Sequence, residues 1–535
     1  MRRVTTLGLL GLLGVGACAG GAAGVGGGAG APVGRAALAV VAPPGVDELK
    51  RDLYAFADDS MRGREAGTPD AFRAAQFIAA RLGTLGLEPA GDSGFYQRVP
   101  LTRTTVTSAS SVQVVDGARG VRTPVLVGGR VVPLLSLGAN APLPKRMADA
   151  PLVFARYGVT NAKLGRDDFK DLDVSGKVVV MMVEAPPGSD SVQAKMFAAP
   201  TGISLRLQKV LGMGPAGVVL VLSGAGREIY EQAASQFMRA LAPLDTSRVP
   251  AESDRPLPLI LLARDVPDSP LVPEGWPREP QAQFASGTRL VARVDAVRDQ
   301  ITEYNVVGIV RGSDAALRRS YVAVGAHLDH IGIQRGQPDS IANGADDDGS
   351  GSMAALAIAR AAVQGTPTKR SWLFVWHTAE EKGLFGSSWF TSHPTVPIDS
   401  IVVQLNADMI GRNGSDSLYI VGPASAPKQQ SVALGAIADS VNAALGRPFV
   451  LDRSFDSPTH PERIYYRSDH YNYASKGIPI LFFTTGLHPD YHKVTDSPEK
   501  IDYAKLARIS EYVWRVGLAV GNRTTRPRPG GAPAM

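Results

Sequence analysis

The chain has 535 residues, enough for roughly two or three domains with sizeable cores. Its formal charge of +6 is spread along the chain without a basic stripe, which argues against nucleic acid as a partner. Arg2 and Arg3 precede an apolar run from Leu7 to Ala17, a pattern that directs export but is too short to span a bilayer as a mature helix. Cys18 closes this run and is the only cysteine, so the chain has no disulfide framework.

The segment Val15-Gly16-Ala17-Cys18 resembles a bacterial lipoprotein signal, which implies residues 1–18 as leader and a lipid anchor to the membrane through Cys18. Cleavage at Ala17-Cys18-Ala19 would instead give a soluble secreted or periplasmic protein. Residues 19–44 are rich in Gly, Ala and Pro and read as a flexible tether. From Val46 to about Leu85, apolar positions recur at helical spacing through Leu49, Leu53 and Phe56, then through Ala71, Ala75, Ile78 and Leu82. A break at Arg62-Gly63-Arg64 separates these two helices, and strand-like alternation follows at 110–115 and 121–127.

The texture changes over 131–298. Lys177–Val183, Gly217–Leu222 and Leu257–Leu262 are short β-branched or aliphatic runs, with a helical stretch at Ser204–Leu211. Taken alone they predict a small α/β or β-rich domain, lying between segments 45–130 and 299–521. In the second of these segments Val322–Ala326, Trp372–Trp376, Ile401–Leu405 and Ile478–Phe483 are continuous apolar runs, as expected of strands covered on both faces. Helices are predicted at Ser352–Val363, Ser431–Leu445 and Tyr503–Val520. The alternation predicts an α/β fold, an open and mostly parallel sheet with helices on both faces and its active site at the strands' carboxyl ends. Residues 522–535 read as a loose tail.

All eight histidines lie between His327 and His492, in the window that holds the conspicuous acidic clusters. Imidazoles and carboxylates without thiolate suit zinc best. Asp329 falls on the same side of the chain as His327 in extended geometry, where its carboxylate can hold the far imidazole nitrogen. Asp346-Asp347-Asp348 crowds three carboxylates before a helix, a repulsion that a dication relieves; two neighbouring metals also need a bridging ligand. In Glu380-Glu381 adjacent side chains point apart, so that one can bind metal while the other acts as general base toward water. Asp408 follows Ile401–Leu405, and His492 follows the last predicted strand. Each feature alone is commonplace, whether an acidic N-cap, a polar loop or an exposed Glu pair.

Their joint order is not commonplace. His327-Leu328-Asp329, Gly344-Ala345-Asp346-Asp347-Asp348-Gly349-Ser350-Gly351, Glu380-Glu381, Asn406-Ala407-Asp408 and Tyr491-His492 resemble the M28 metallopeptidase family in sequence and spacing. Arg62-Gly63-Arg64-Glu65-Ala66-Gly67-Thr68, Ser468-Asp469-His470 and Thr495-Asp496-Ser497-Pro498-Glu499-Lys500 agree. The phrases Val174-Ser175-Gly176-Lys177-Val178-Val179 and Gly214-Pro215-Ala216-Gly217-Val218-Val219 resemble the protease-associated domain often inserted into that family.

The resemblance implies an exopeptidase that releases N-terminal residues from peptides using two zinc ions. Asp347 would bridge them, with His327 and Asp408 completing one site and Glu381 and His492 the other. Glu380 would be the general base, Asp329 the orienting carboxylate and Tyr491 a donor to the developing oxyanion, with a cis peptide at Asp347–Asp348. Carboxypeptidase and glutaminyl-cyclase chemistry occur on the same scaffold. A non-catalytic binding protein would be expected to lack ligands, and every ligand position here is filled. Many members have Asn on either side of the bridging Asp, so Asp346 and Asp348 leave open which of the three bridges and whether a neighbour meets a substrate ammonium or caps the loop. Ser468-Asp469-His470 fits either a structural hydrogen-bond role or the substrate pocket.

Overall fold

The computed structural model describes residues 45–527 except 135–145, 199, 224–229, 231–236, 245–257, 266, 335–338, 427–428, 458 and 461. The leader with Cys18, the 19–44 tether and the tail beyond 527 lie outside the described residues. Two compact units emerge, one formed by 45–101 with 301–527 and the other by 102–300. Among the described residues no helix is long and apolar enough to cross a membrane.

The larger unit is an α/β sheet. Its central strand Tyr321–His327 runs parallel to Ser371–His377 on one side and Ile401–Ala407 on the other, and Ile480–Thr484 continues the parallel set. Antiparallel neighbours flank it: Val306–Val310 beside Ser371–His377, and Ser417–Val421 beside Ile480–Thr484. The side-chain period of two explains how one apolar run serves two cores. Trp372, Phe374 and Trp376 join the cluster beneath Pro69–Leu85, Gly351–Gln364 and Tyr503–Gly521. Leu373 and Val375 join the opposite cluster with Phe390 and Tyr473, from helices Phe385–Ser392 and His470–Ser475. Each such large side chain, fully buried, contributes about 1.5–3 kcal/mol.

Helix Pro69–Leu85 starts where Thr68 caps the Asp70 N–H at 3.2 Å and ends at Gly86, whose φ of 79° supplies the left-handed stop. The break at 62–64 is a tight turn in which Gly63 (φ 70°) lies so close to Ala342 and Gly332 that a Cβ would stand 2.6 Å from a carbonyl oxygen.

The smaller unit is a mixed eight-stranded sheet. Leu152–Phe154, Val178–Met182, Gly217–Leu222 and Leu259–Arg264 form its parallel part. Strands Ser111–Val115 and Arg122–Val125 extend it through Arg289–Val294. This unit therefore takes in residues 102–130, which sequence texture alone groups with the larger domain. Texture misses them because an alternating, half-exposed edge strand looks the same in either sheet.

Candidate metal centre

The parallel strands of the larger unit deliver the residues beyond their ends to one edge. His327 is the last residue of its strand and pairs in register with His377, three residues before Glu380. Asp408 immediately follows Ile401–Ala407. The loop Ala345–Ser350 presents Asp347 just before helix Gly351–Gln364, and His492 sits beyond Ile480–Thr484.

These side chains converge. His327 Nε2 lies 3.3 Å from Asp347 Oδ1, 3.6 Å from Asp408 Oδ1 and 3.9 Å from Glu380 Oε2. His492 Nε2 lies 3.1 Å from Asp347 Oδ2 and 3.0 Å from Glu381 Oε2. Asp347 thus faces both halves with one oxygen each. A tetrahedral zinc with bonds of about 2.0–2.1 Å holds its ligand atoms roughly 3.3 Å apart. The gaps match that spacing. Asp347 Oδ2 and Asp408 Oδ1 are buried without a hydrogen-bond partner, as oxygens suited to hold a cation would be. His327 directs Nδ1 at the Asp329 carbonyl oxygen at 3.1 Å; since a carbonyl only accepts, Nδ1 carries a proton, and Nε2 is the nitrogen that faces the centre. The donor set fits zinc.

The charge balance is tight. Burial disfavours ionisation of Asp347, but its contacts with His327 and His492 overcome it and hold the carboxyl well below its ordinary range. Burial lowers His492, yet Glu381 and Asp347 bring it up to about 10. Glu380 goes the other way, since burial and the nearby Glu381, Asp469 and Asp408 push it well above a normal carboxylate despite His327. Glu380 lines the pocket beside the cluster.

The acidic triplet divides its labour. The Asp347–Asp348 peptide is cis. Asp348 accepts the His327 N–H through Oδ2 and the Gly351 N–H through Oδ1, both at 2.9 Å, so it ties the strand end to the helix start. Asp346 accepts the Gly411 N–H at 2.6 Å and faces His488 Nε2 at 3.2 Å. Both are fully buried, so neither is a solvent-facing acid. Asp329 departs from expectation. Its carboxylate stands 3.9 Å from His327 Nδ1 and instead accepts the Glu380 N–H at 3.1 Å, so the backbone carbonyl orients the imidazole while the carboxylate positions the Glu380 backbone.

Several supporting contacts are not evident from sequence. His330 Nδ1 pairs with Glu381 Oε1 at 2.8 Å, leaving Oε2 to face His492. Asp496 accepts the N–H groups of both Asp346 and Asp347. Arg64, wholly buried, donates to the carbonyls of Leu328, Phe56, Asn343 and Gly344 and so joins the strand end after His327 to the loop before Asp347. Ser468 donates to Asp408 Oδ2 at 2.7 Å, and His470 bonds the Tyr465 carbonyl and stacks on Phe482. The fragments carrying Arg64, Ser468 and Asp496 stand out in the sequence, but only the fold shows what each touches.

A pocket opens onto the cluster, walled by Met409, Phe455, Ile464, Phe482 and Leu487 and edged by Arg467 and Tyr491. The Tyr491 ring stacks on His492 with centroids 3.9 Å apart.

Comparison with known proteins agrees with this geometry. The chain is 29% identical over 256 residues to a probable leucine aminopeptidase of Arthroderma benhamiae, covering 46% of this chain and 64% of that one. It is 32% identical over 194 residues to a probable leucine aminopeptidase 2 of Aspergillus oryzae, covering 36% of each. The match to the first of these relatives therefore spans slightly less than two thirds of its length. The fold is shared with a zinc aminopeptidase from Bacillus subtilis (TM-score 0.57, 18% identity, 91% of this chain and 98% of that one). It is shared equally with an aminopeptidase from Aneurinibacillus sp. strain AM-1 (TM-score 0.55, 17% identity, 92% and 97%). Residues 305–517, which hold every clustered ligand from His327 to His492, match the profile of peptidase family M28.

Proposed function

We propose that this chain is an M28-type zinc aminopeptidase that releases N-terminal residues from peptides with two metal ions. The observation that carries the reading is Asp347, whose two carboxylate oxygens face two separate histidine–carboxylate groups at 3.1–3.3 Å. His327 and Asp408 would complete one site, and Glu381 and His492 the other. Zinc held there supplies Lewis-acid polarisation of the scissile carbonyl and lowers the pKa of the attacking water.

The protein's own groups do the rest. Glu380, which lines the pocket beside the cluster and is held by its backbone on Asp329, takes the water proton and returns it to the leaving amine. Tyr491 donates to the oxyanion. The negative cluster receives the free α-amine, and the apolar wall formed by Phe455, Ile464 and Phe482 receives an apolar first side chain. Ligands for a second ion favour this reading over single-zinc glutaminyl cyclisation.

The smaller unit reads as a protease-associated domain, supported by its mixed sheet and the phrases at 174–179 and 214–219. Export with lipidation at Cys18 is supported by the leader pattern alone. The test is hydrolysis of leucyl-anilide by the zinc-loaded protein with and without a chelator. Chelator-sensitive turnover that vanishes on N-acetylated substrate is expected; equal cleavage of the blocked substrate would overturn the exopeptidase reading.

A further inference from the structure

Arg467 reaches the pocket from the turn that precedes helix His470–Ser475, and nothing in the reaction as described uses it. Its guanidinium is gripped from two sides. Nη1 donates to Glu462 Oε2 at 3.1 Å, and Nη2 donates to the Tyr491 hydroxyl oxygen at 3.2 Å. The next residue, Ser468, donates to Asp408 Oδ2 at 2.7 Å. One short segment therefore touches both a metal-ligand carboxylate and the phenol that the proposed mechanism uses.

The direction of the second bond matters. A phenol has one proton and two acceptor lone pairs, whereas a guanidinium only donates. With Arg467 filling one lone pair, the Tyr491 proton cannot point at Arg467 and is left for an acceptor in the pocket. A cationic donor on the phenol oxygen also makes that O–H a stronger donor. Glu462 limits the guanidinium's freedom, and the stack of Tyr491 on His492 limits the ring's.

On the reading of the site given above, we infer that Arg467, anchored by Glu462, is a positioning residue that sets the Tyr491 hydroxyl as an oxyanion donor. It acts through Tyr491, not on the substrate.

The test is a double-mutant cycle on the zinc-loaded full chain with leucyl-anilide, which has no carboxylate. Tyr491→Phe should lower kcat by roughly 10²-fold, as loss of an oxyanion donor does, with KM within about twofold. Arg467→Met should lower kcat by roughly tenfold in the parent and not further in the Tyr491→Phe background. Glu462→Gln, a milder change, should act in the same direction, again only while Tyr491 is present. Calorimetric affinity for an α-aminoboronic acid, whose tetrahedral adduct mimics the oxyanion, should fall in the same pattern with zinc content unchanged. Losses that multiply in the double variants would overturn the inference. So would an Arg467→Met effect confined to the KM of free dipeptides, which would make Arg467 a receptor for the substrate carboxylate. Glu380→Gln separates the two levels: if it abolishes turnover while Tyr491→Phe is silent, the enzyme reading stands and this inference fails. If Glu380→Gln is itself silent, the site reading fails.

Discussion

Strands Tyr321–His327 and Ser371–His377 of the larger unit and Val178–Met182 and Gly217–Leu222 of the smaller are buried along their whole length, and each pair runs parallel. The difference lies in the residues at and just beyond their carboxyl ends. In the larger unit the strand ends carry imidazoles and carboxylates in alternation, so the charges offset one another and leave lone pairs converging on two points. In the smaller unit Glu184 and Asp265 follow parallel strands with no histidine beside them, and burial raises both, Glu184 further through Asp265. Strand-end placement is generic to such sheets, whereas a metal site needs the mixed donor set.

That contrast can be broken in order of expected effect. Stripping zinc with a chelator should reduce leucyl-anilide turnover to background, and re-addition should restore it; activity that survives full demetallation contradicts the site. Glu380→Gln should retain zinc yet lose roughly 10²–10⁴ in kcat, read by metal analysis and steady-state kinetics side by side. Ser468→Ala removes the support of Asp408 and should cost about 10–100-fold in zinc affinity or turnover, measured by metal-buffer titration. The smallest effect belongs to the other unit. Glu184→Gln should leave kcat and KM within about twofold and hold or raise the unfolding midpoint, because ionising a carboxyl whose pKa is raised on folding costs stability. A clear loss of activity there would mean that the smaller unit takes part in catalysis.

Much of the larger unit is legible in the sequence because four continuous apolar runs separated by helical periodicity leave few alternatives. Helix Gly351–Gln364 falls within a residue of its expected bounds at each end. The antiparallel strand Ser417–Val421 and its short edge neighbour Val450–Asp452 are not legible, since short, half-buried strands have weak patterns. Within the site, the ligand set follows from the resemblance to the M28 family, and the five side chains it implies lie close together. Which group holds which cannot be read that way. His330 lies three residues from His327 and finds its partner 51 residues away in Glu381, and Arg64 acts across more than 260 residues on Leu328. Asp329 shows the same limit: spacing puts its carboxylate by the imidazole, but the chain turns and offers its carbonyl instead.

The most direct measurement is turnover of leucyl-anilide by the apo protein as zinc is titrated in, plotted against zinc bound per chain. Activity should climb to a plateau at two zinc ions per chain, with Asp347→Asn unable to reach it. A plateau at one ion, or an Asp347→Asn variant that binds two and works normally, would contradict the shared carboxylate at the centre of the site.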